Sequence, residues 1–115
     1  MKSQLAKSVL QALNEAFPNT LVKEEEYASY KGVKLFFDFY IPSLNLYVEV
    51  QGSQHTEFNP HFHSDAAAFR AQKQRDRLKV EWCDLNDYTL VRINHDEIPI
   101  SAQDLLNKIS EAQGL

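Results

Sequence analysis

Leu5, Val9, Ala12, Leu13 and Ala16 recur at intervals of three and four, the spacing that lines one face of an α-helix, and Pro18-Asn19 then interrupts the pattern. This predicts a first helix over about 3–16. "TLVKEEEYASY" follows as a strand with weak alternation, and Lys31-Gly32 supplies a turn before the next strand. "KLFFDFYI" and "LNLYVEV" are rich in aromatic and β-branched residues, and the "PSLN" between them has the turn chemistry of a hairpin. "SDAAAFRAQKQRDRLKVEWCDLN" reads as a long helix with Ser64 or Asp65 as its N-cap and Phe69, Leu78 and Trp82 as buried anchors. "YTLVRIN" is a short last strand. "SAQDLLNKISEAQ" is a closing helix with a capping Ser, an apolar stripe of Leu105, Leu106 and Ile109, and Gly114 beyond its end. The order is αβββαβα. The long helix allows the last strand to return parallel to the hairpin, so the expected class is α/β, a small mixed sheet flanked by helices.

A chain of 115 residues matches one compact domain, and a hydrophobic content of 43% with seven Phe, five Tyr and one Trp is enough to fill its core. The first residues show no apolar block followed by a small-residue cleavage site, and no segment approaches membrane-spanning length. With a single cysteine, Cys83, the reading is of an intracellular, cytoplasmic protein in a reducing compartment, with no membrane partner. A net charge of -4 argues against a general nucleic-acid coat protein. Distribution changes that picture, because "RAQKQRDRLK" holds five basic residues against one acid.

Two carboxylates sit inside the apolar hairpin. Side chains alternate across a strand, so Phe36, Asp38 and Tyr40 are expected on one face and Tyr47, Glu49 and Gln51 on one face of the next strand. If Ile41 pairs with Leu46, antiparallel register sets Asp38 opposite Glu49, with Cβ atoms roughly 4.5–5.5 Å apart. Opposed like charges need a proton, a cationic partner or a metal ion. Mg²⁺ suits one or two carboxylates completed by water and phosphate. A solvated sheet face, or pairing with lysines, is the alternative.

With these residues in view, "FDFYIPSLNLYVEVQGSQH" resembles the core of the PD-(D/E)xK nuclease superfamily, whose motif is an Asp, a hairpin, then Glu-x-Lys. The resemblance covers residues 35–95. It is strongest to the very-short-patch-repair-like and phage homing-endonuclease-like branch, where "EVQGSQH" is followed by a basic helix and a strand like "LVRI". It implies a restriction-endonuclease-like core and a metal-dependent DNA endonuclease of phage or bacterial DNA processing, acting in the host cytoplasm if phage-encoded. It also implies Mg²⁺ as cofactor, with Mn²⁺ as substitute, and DNA as partner. Asp38 and Glu49 inherit metal binding, and Val50 lends its main-chain carbonyl. Gln51 stands where the motif has Lys, as in the Glu-x-Gln variant, and would orient water through its amide. The missing cation is then sought at Lys73, Arg75 or Lys79. Relatives often carry a metal-site Glu early in the first helix, where this chain reads "SQLAKSV", with Gln4 and Ala6 nearest and Glu15 too late.

Arg70, Lys73 and Arg77 recur at i, i+3 and i+7 and make one stripe suited to a phosphate backbone; pairs such as Arg77 with Glu81 or Asp76 with Lys79 are the bland reading. Asp76 is taken as structural. His55, close after the motif strand, is a candidate for phosphate positioning or proton transfer. His61 and His63 stand two apart in a loop with no set of tetrahedral spacing, which disfavours zinc. No nucleophile elbow or glycine-rich phosphate loop is present. A junction resolvase of the same superfamily, or a catalytically weak nuclease-fold module that binds nucleic acid or a partner, are the rivals. A homodimer or larger protein assembly is compatible with each.

Overall fold

The computed structural model describes residues 3–52 and 66–114. Helix α1 (Gln4–Ala16) starts at Ser3, whose hydroxyl accepts the Ala6 N–H at 3.1 Å, and buries Ala6, Val9, Ala12 and Leu13. Strands β1 (Lys23–Tyr30) and β2 (Val33–Ile41) form an antiparallel hairpin. It turns at Lys31 and Gly32, whose φ values of 51° and 74° place both in the left-handed region, the two-residue turn whose geometry matches the right-handed twist of the flanking strands. A single 3-10 turn, Pro42–Leu44, and Asn45 at φ 49° lead into β3 (Leu46–Gln51), antiparallel to β2. Helix α2 (Ala66–Leu85) crosses over to β4 (Thr89–Asn94), which runs parallel to β3. Helix α3 (Ala102–Ala112) is capped by Ser101, and Gly114 follows it at φ 78°. The sheet order is β1-β2-β3-β4, so the fold is α/β with a small mixed sheet and flanking helices in the expected order. Among the described residues no helix is long and apolar enough to cross a membrane.

The sheet separates two apolar layers. On one side Val9 and Leu13 of α1 and Leu105 and Ile109 of α3 pack with Phe39, Ile41, Val48 and Ile93. On the other, Leu35, Phe37 and Tyr47 pack with Leu78 and Cys83 of α2. The strand expectation needs correcting here. Phe37 and Tyr40 both contact Tyr47, with ring centroids 4.4 and 4.3 Å away, whereas Phe39 and Ile41 lie in the opposite layer. Alternation is therefore reversed around Asp38, so Phe36, Asp38 and Tyr40 do not form one regular face. The cause is visible in the pairing: β1 and β2 are in register on both sides, yet Glu25, which would face Asp38, has φ 58° and makes no ladder pair. A left-handed residue twists the hairpin there. One alternating apolar run thus feeds both layers.

Helix α2 is anchored differently from expectation as well. Leu78 is buried, but Phe69 and Trp82 are half-buried, and the helix also buries Asp76 and Lys79. Ser64 and Asp65, its expected caps, lie outside the described residues. Trp82 closes an aromatic cluster, its ring 5.6 Å from Phe37, 5.5 Å from Tyr47 and 5.2 Å from Tyr88.

Cys83 is 1% exposed, and burial, with the negative charge of Glu49 and Asp84 adding to it, pushes its thiol up to about 12. A thiolate is needed for reaction with disulfide reagents. Labelling of the folded protein with a chromogenic disulfide should be slower by several orders of magnitude than in urea, and should accelerate in step with the loss of far-UV circular dichroism. Fast labelling without denaturant would show that this layer is not closed.

Candidate functional site

The hairpin register brings the two acids together. Ile41 pairs with Leu46, Tyr40 with Tyr47 and Phe39 with Val48, and one more step in that register sets Asp38 opposite Glu49. At this step Asp38 Oδ2 accepts the Val50 N–H at 2.8 Å. A side chain thereby takes up a main-chain donor where the regular strand pairing stops.

Helix α2 and strand β4 then supply cations. Lys79 Nζ lies 2.6 Å from Glu49 Oε1, with both side chains buried. Arg92 is the register neighbour of Glu49 in the parallel pair, and its Nε stands 3.7 Å from Glu49 Oε2. Its Nη2 donates instead to the Asp76 carbonyl at 2.7 Å. Glu49 Oε2 and Arg92 Nε are both buried without a hydrogen-bond partner among the described residues. Burial pushes the Glu49 carboxyl above the usual carboxylate range and Asp38 adds to it, against the opposing pull of Lys79 and Arg92.

The other expected residues are dispersed. Gln51 ends β3, is 8% exposed and neighbours Asn94 in register. Val50 packs against the α1/α3 layer. Arg70, Arg75 and Arg77 are exposed along α2, and Lys73 is half-buried with Nζ 5.6 Å from the Phe69 ring centre. Neither bland partner is the one found. Arg77 donates to Gln74, and Glu81 accepts from the Tyr30 hydroxyl at 2.6 Å and Lys31 at 2.7 Å. Lys79 turns inward to Glu49. His55, His61 and His63 lie outside the described residues. Gln4 is exposed and Ala6 is in the layer on the far side of the sheet from Lys79, so that part of α1 brings no acid to Glu49.

Two viral proteins are similar to this chain. Uncharacterized protein 307L of Invertebrate iridescent virus 6 is 38% identical over 92 residues, 80% of this chain and 44% of that protein. Uncharacterized protein 033L of Invertebrate iridescent virus 3 is 37% identical over 62 residues, 54% of this chain and 32% of that protein. The chain spans less than half the length of these curated relatives. No family model matches it, and no solved structure does so.

Arg92 was not anticipated, although an arginine in the middle of the apolar "TLVRIN" was a signal: a charge in a strand covered on both faces needs a partner. The donor chemistry suits a hard cation only in part. Among the described residues no group of three His, Cys, Asp or Glu could hold a metal. Two carboxylates, one with an unpartnered buried oxygen, do fit Mg²⁺, which keeps much of its water.

The raised Glu49 group sets a pH dependence. A folded-state value above 4.5 means that its contribution to stability is complete below that pH and is lost as pH rises through the folded value. In metal-free buffer at neutral pH, Glu49→Gln should therefore equal or exceed wild type in stability, by up to about 2 kcal/mol, since its amide oxygen still accepts from Lys79. Lys79→Met should lose about 3 kcal/mol, with the loss shrinking as pH falls and Glu49 takes up a proton. Urea denaturation across a pH series measures both; a Glu49→Gln protein less stable at every pH would contradict the direction.

Proposed function

We propose that this chain is a Mg²⁺-dependent DNA endonuclease domain on a restriction-endonuclease-like core, with Mn²⁺ as substitute, hydrolysing phosphodiester bonds. The observation that carries the reading is Lys79 at 2.6 Å from Glu49, itself one register step beyond the pairs that align β2 with β3. The cation that Gln51 does not supply reaches the acid from α2. A buried acid opposed to another acid lowers stability, and such an arrangement is favoured where chemistry uses it. The viral source of two similar proteins is compatible with DNA processing but names no activity.

In this reading Asp38 and Glu49 would hold the ion, and Val50 would lend its main-chain carbonyl. The ion, when bound, lowers the pKa of water and offsets charge developing at phosphorus. Lys79, fixed by its bond to Glu49, offers a donor in a water-poor setting where such donors act most strongly. Gln51 can orient the attacking water through its amide. Arg70, Lys73, Arg75 and Arg77 contribute phosphate contacts on the open side of α2. A second reading, a nuclease-fold module that binds nucleic acid without cutting, draws support from Lys79 and Arg92, since two cations already face Glu49.

Cleavage of linear, nicked and branched DNA with Mg²⁺ or Mn²⁺ separates these readings and distinguishes a junction resolvase by its preference for the branched form. Wild type should cut. Glu49→Gln, purified identically to control for contaminating nuclease, should be silent, and Lys79→Met should fall by about 10²–10³-fold. Binding without cleavage of any form would leave the module.

The triple variant Arg70→Ala, Lys73→Ala, Arg77→Ala should weaken DNA binding across sequences and reduce the slope of log affinity against log salt by about 2–3. Unchanged affinity and slope in a fluorescence titration would return the stripe to an ordinary solvated helix face.

A further inference from the structure

The geometry points to Arg92 as a resident counter-ion that occupies the metal's side of Glu49 and passes to a substrate phosphate when the cation binds. It rests on the reading of Asp38 and Glu49 as metal ligands. Arg92 is then a positioning residue that sets cation affinity and couples it to phosphate binding.

An arginine that serves only to neutralise a carboxylate usually forks onto it with two short hydrogen bonds. Arg92 does not. Its Nη2 is committed to the Asp76 carbonyl at 2.7 Å, and its Nε stops 3.7 Å from Glu49 Oε2, beyond hydrogen-bond length yet close enough for charge attraction. Donor and acceptor are both buried, and neither has a hydrogen-bond partner among the described residues. Two polar groups held at that separation forgo a bond that a modest side-chain shift would make. Glu49 Oε1 is occupied by Lys79, which leaves Oε2 as the oxygen a cation would take. A divalent ion on Oε2 repels the guanidinium. The Asp76 bond limits how far Arg92 can retreat, and the released Nε faces the centre to which a phosphate would be brought, a group that arginine binds well.

The test measures binding, not turnover. Mn²⁺ affinity of wild type, Arg92→Gln, Arg92→Lys and Asp38→Asn is obtained by calorimetry, and affinity for a short DNA duplex is measured with Ca²⁺ present. Removing the competing charge should tighten Mn²⁺ binding in Arg92→Gln by roughly tenfold. It should also weaken duplex binding by a similar factor, and Arg92→Lys should move both values back toward wild type. Tighter Mn²⁺ binding in Arg92→Gln supports the inference, most strongly if wild type binds none. Equal or weaker binding overturns it; if wild type then still binds Mn²⁺ and Asp38→Asn does not, the metal reading stands alone. Absence of binding in both wild type and Arg92→Gln removes both. Should Arg92→Gln fail to fold, the Nε–H resonance of Arg92 in wild type, assigned by its loss in Arg92→Lys, decides the matter. It should move on saturation with Mg²⁺, and a stationary signal overturns the inference.

Discussion

A carboxylate held in the interior of a sheet is the constraint around which this molecule is arranged. Glu49 is 4% exposed, and an ionised group so placed is tolerated only with close counter-charge. Two connections in the fold deliver it. The crossover through α2 presents Lys79 to Oε1, and the parallel return of β4 sets Arg92 beside Oε2. The β2–β3 hairpin works in the other direction by bringing Asp38 toward the same carboxyl, and burial prevails in raising it. A core packed with apolar groups in place of this acid and its partners would be at least as stable.

Asp38 owes its position to a local defect rather than to regular pairing. Glu25 at φ 58° interrupts the β1–β2 ladder where it would meet Asp38, and side-chain alternation changes sense there. Phe37 can consequently pack under α2 while Phe39 packs under α1 and α3. The carboxylate emerges at the changeover, where its Oδ2 captures the Val50 N–H. Strand irregularities of this kind re-aim side chains next to active centres. The interruption that lets β2 feed both layers also places the acid.

Helix and strand order was legible because periodicity reports local structure, and the register at Ile41 and Leu46 followed from the "PSLN" turn. The face of Asp38 was not legible: alternation assumes regular twist, and the left-handed Glu25 across the hairpin carries no glycine or proline to announce it. Lys79 was one of three helix cations open to the role, and only the packing of Leu78 and Cys83 determines which one turns inward. Arg92 went unremarked because its partner lies on a strand 43 positions earlier, which no local pattern relates to it. The basic stripe was visible as a sequence interval, but the side-chain bonds of α2 are mostly elsewhere: Glu81 reaches Lys31 and Tyr30 across the hairpin.

The neutral side chain of Gln51 acquires a physical sense from the charges around it. Asp38 and Glu49 are two opposed carboxyl groups, and Lys79 and Arg92 bring two cations to Glu49. A lysine at position 51, two residues along the same strand and 8% exposed, would add a third cation under burial. With no further acid among the described residues to complete a metal-binding group, that charge would oppose both Lys79 and any divalent ion. A neutral amide avoids the repulsion while keeping a donor and an acceptor at the end of β3. Supplying the cation from a helix also determines what holds it in place. A lysine on β3 would be fixed by the sheet, whereas Lys79 depends on α2 docking through Leu78, Trp82 and Cys83, so the charge balance of the site is tied to the packing of that helix.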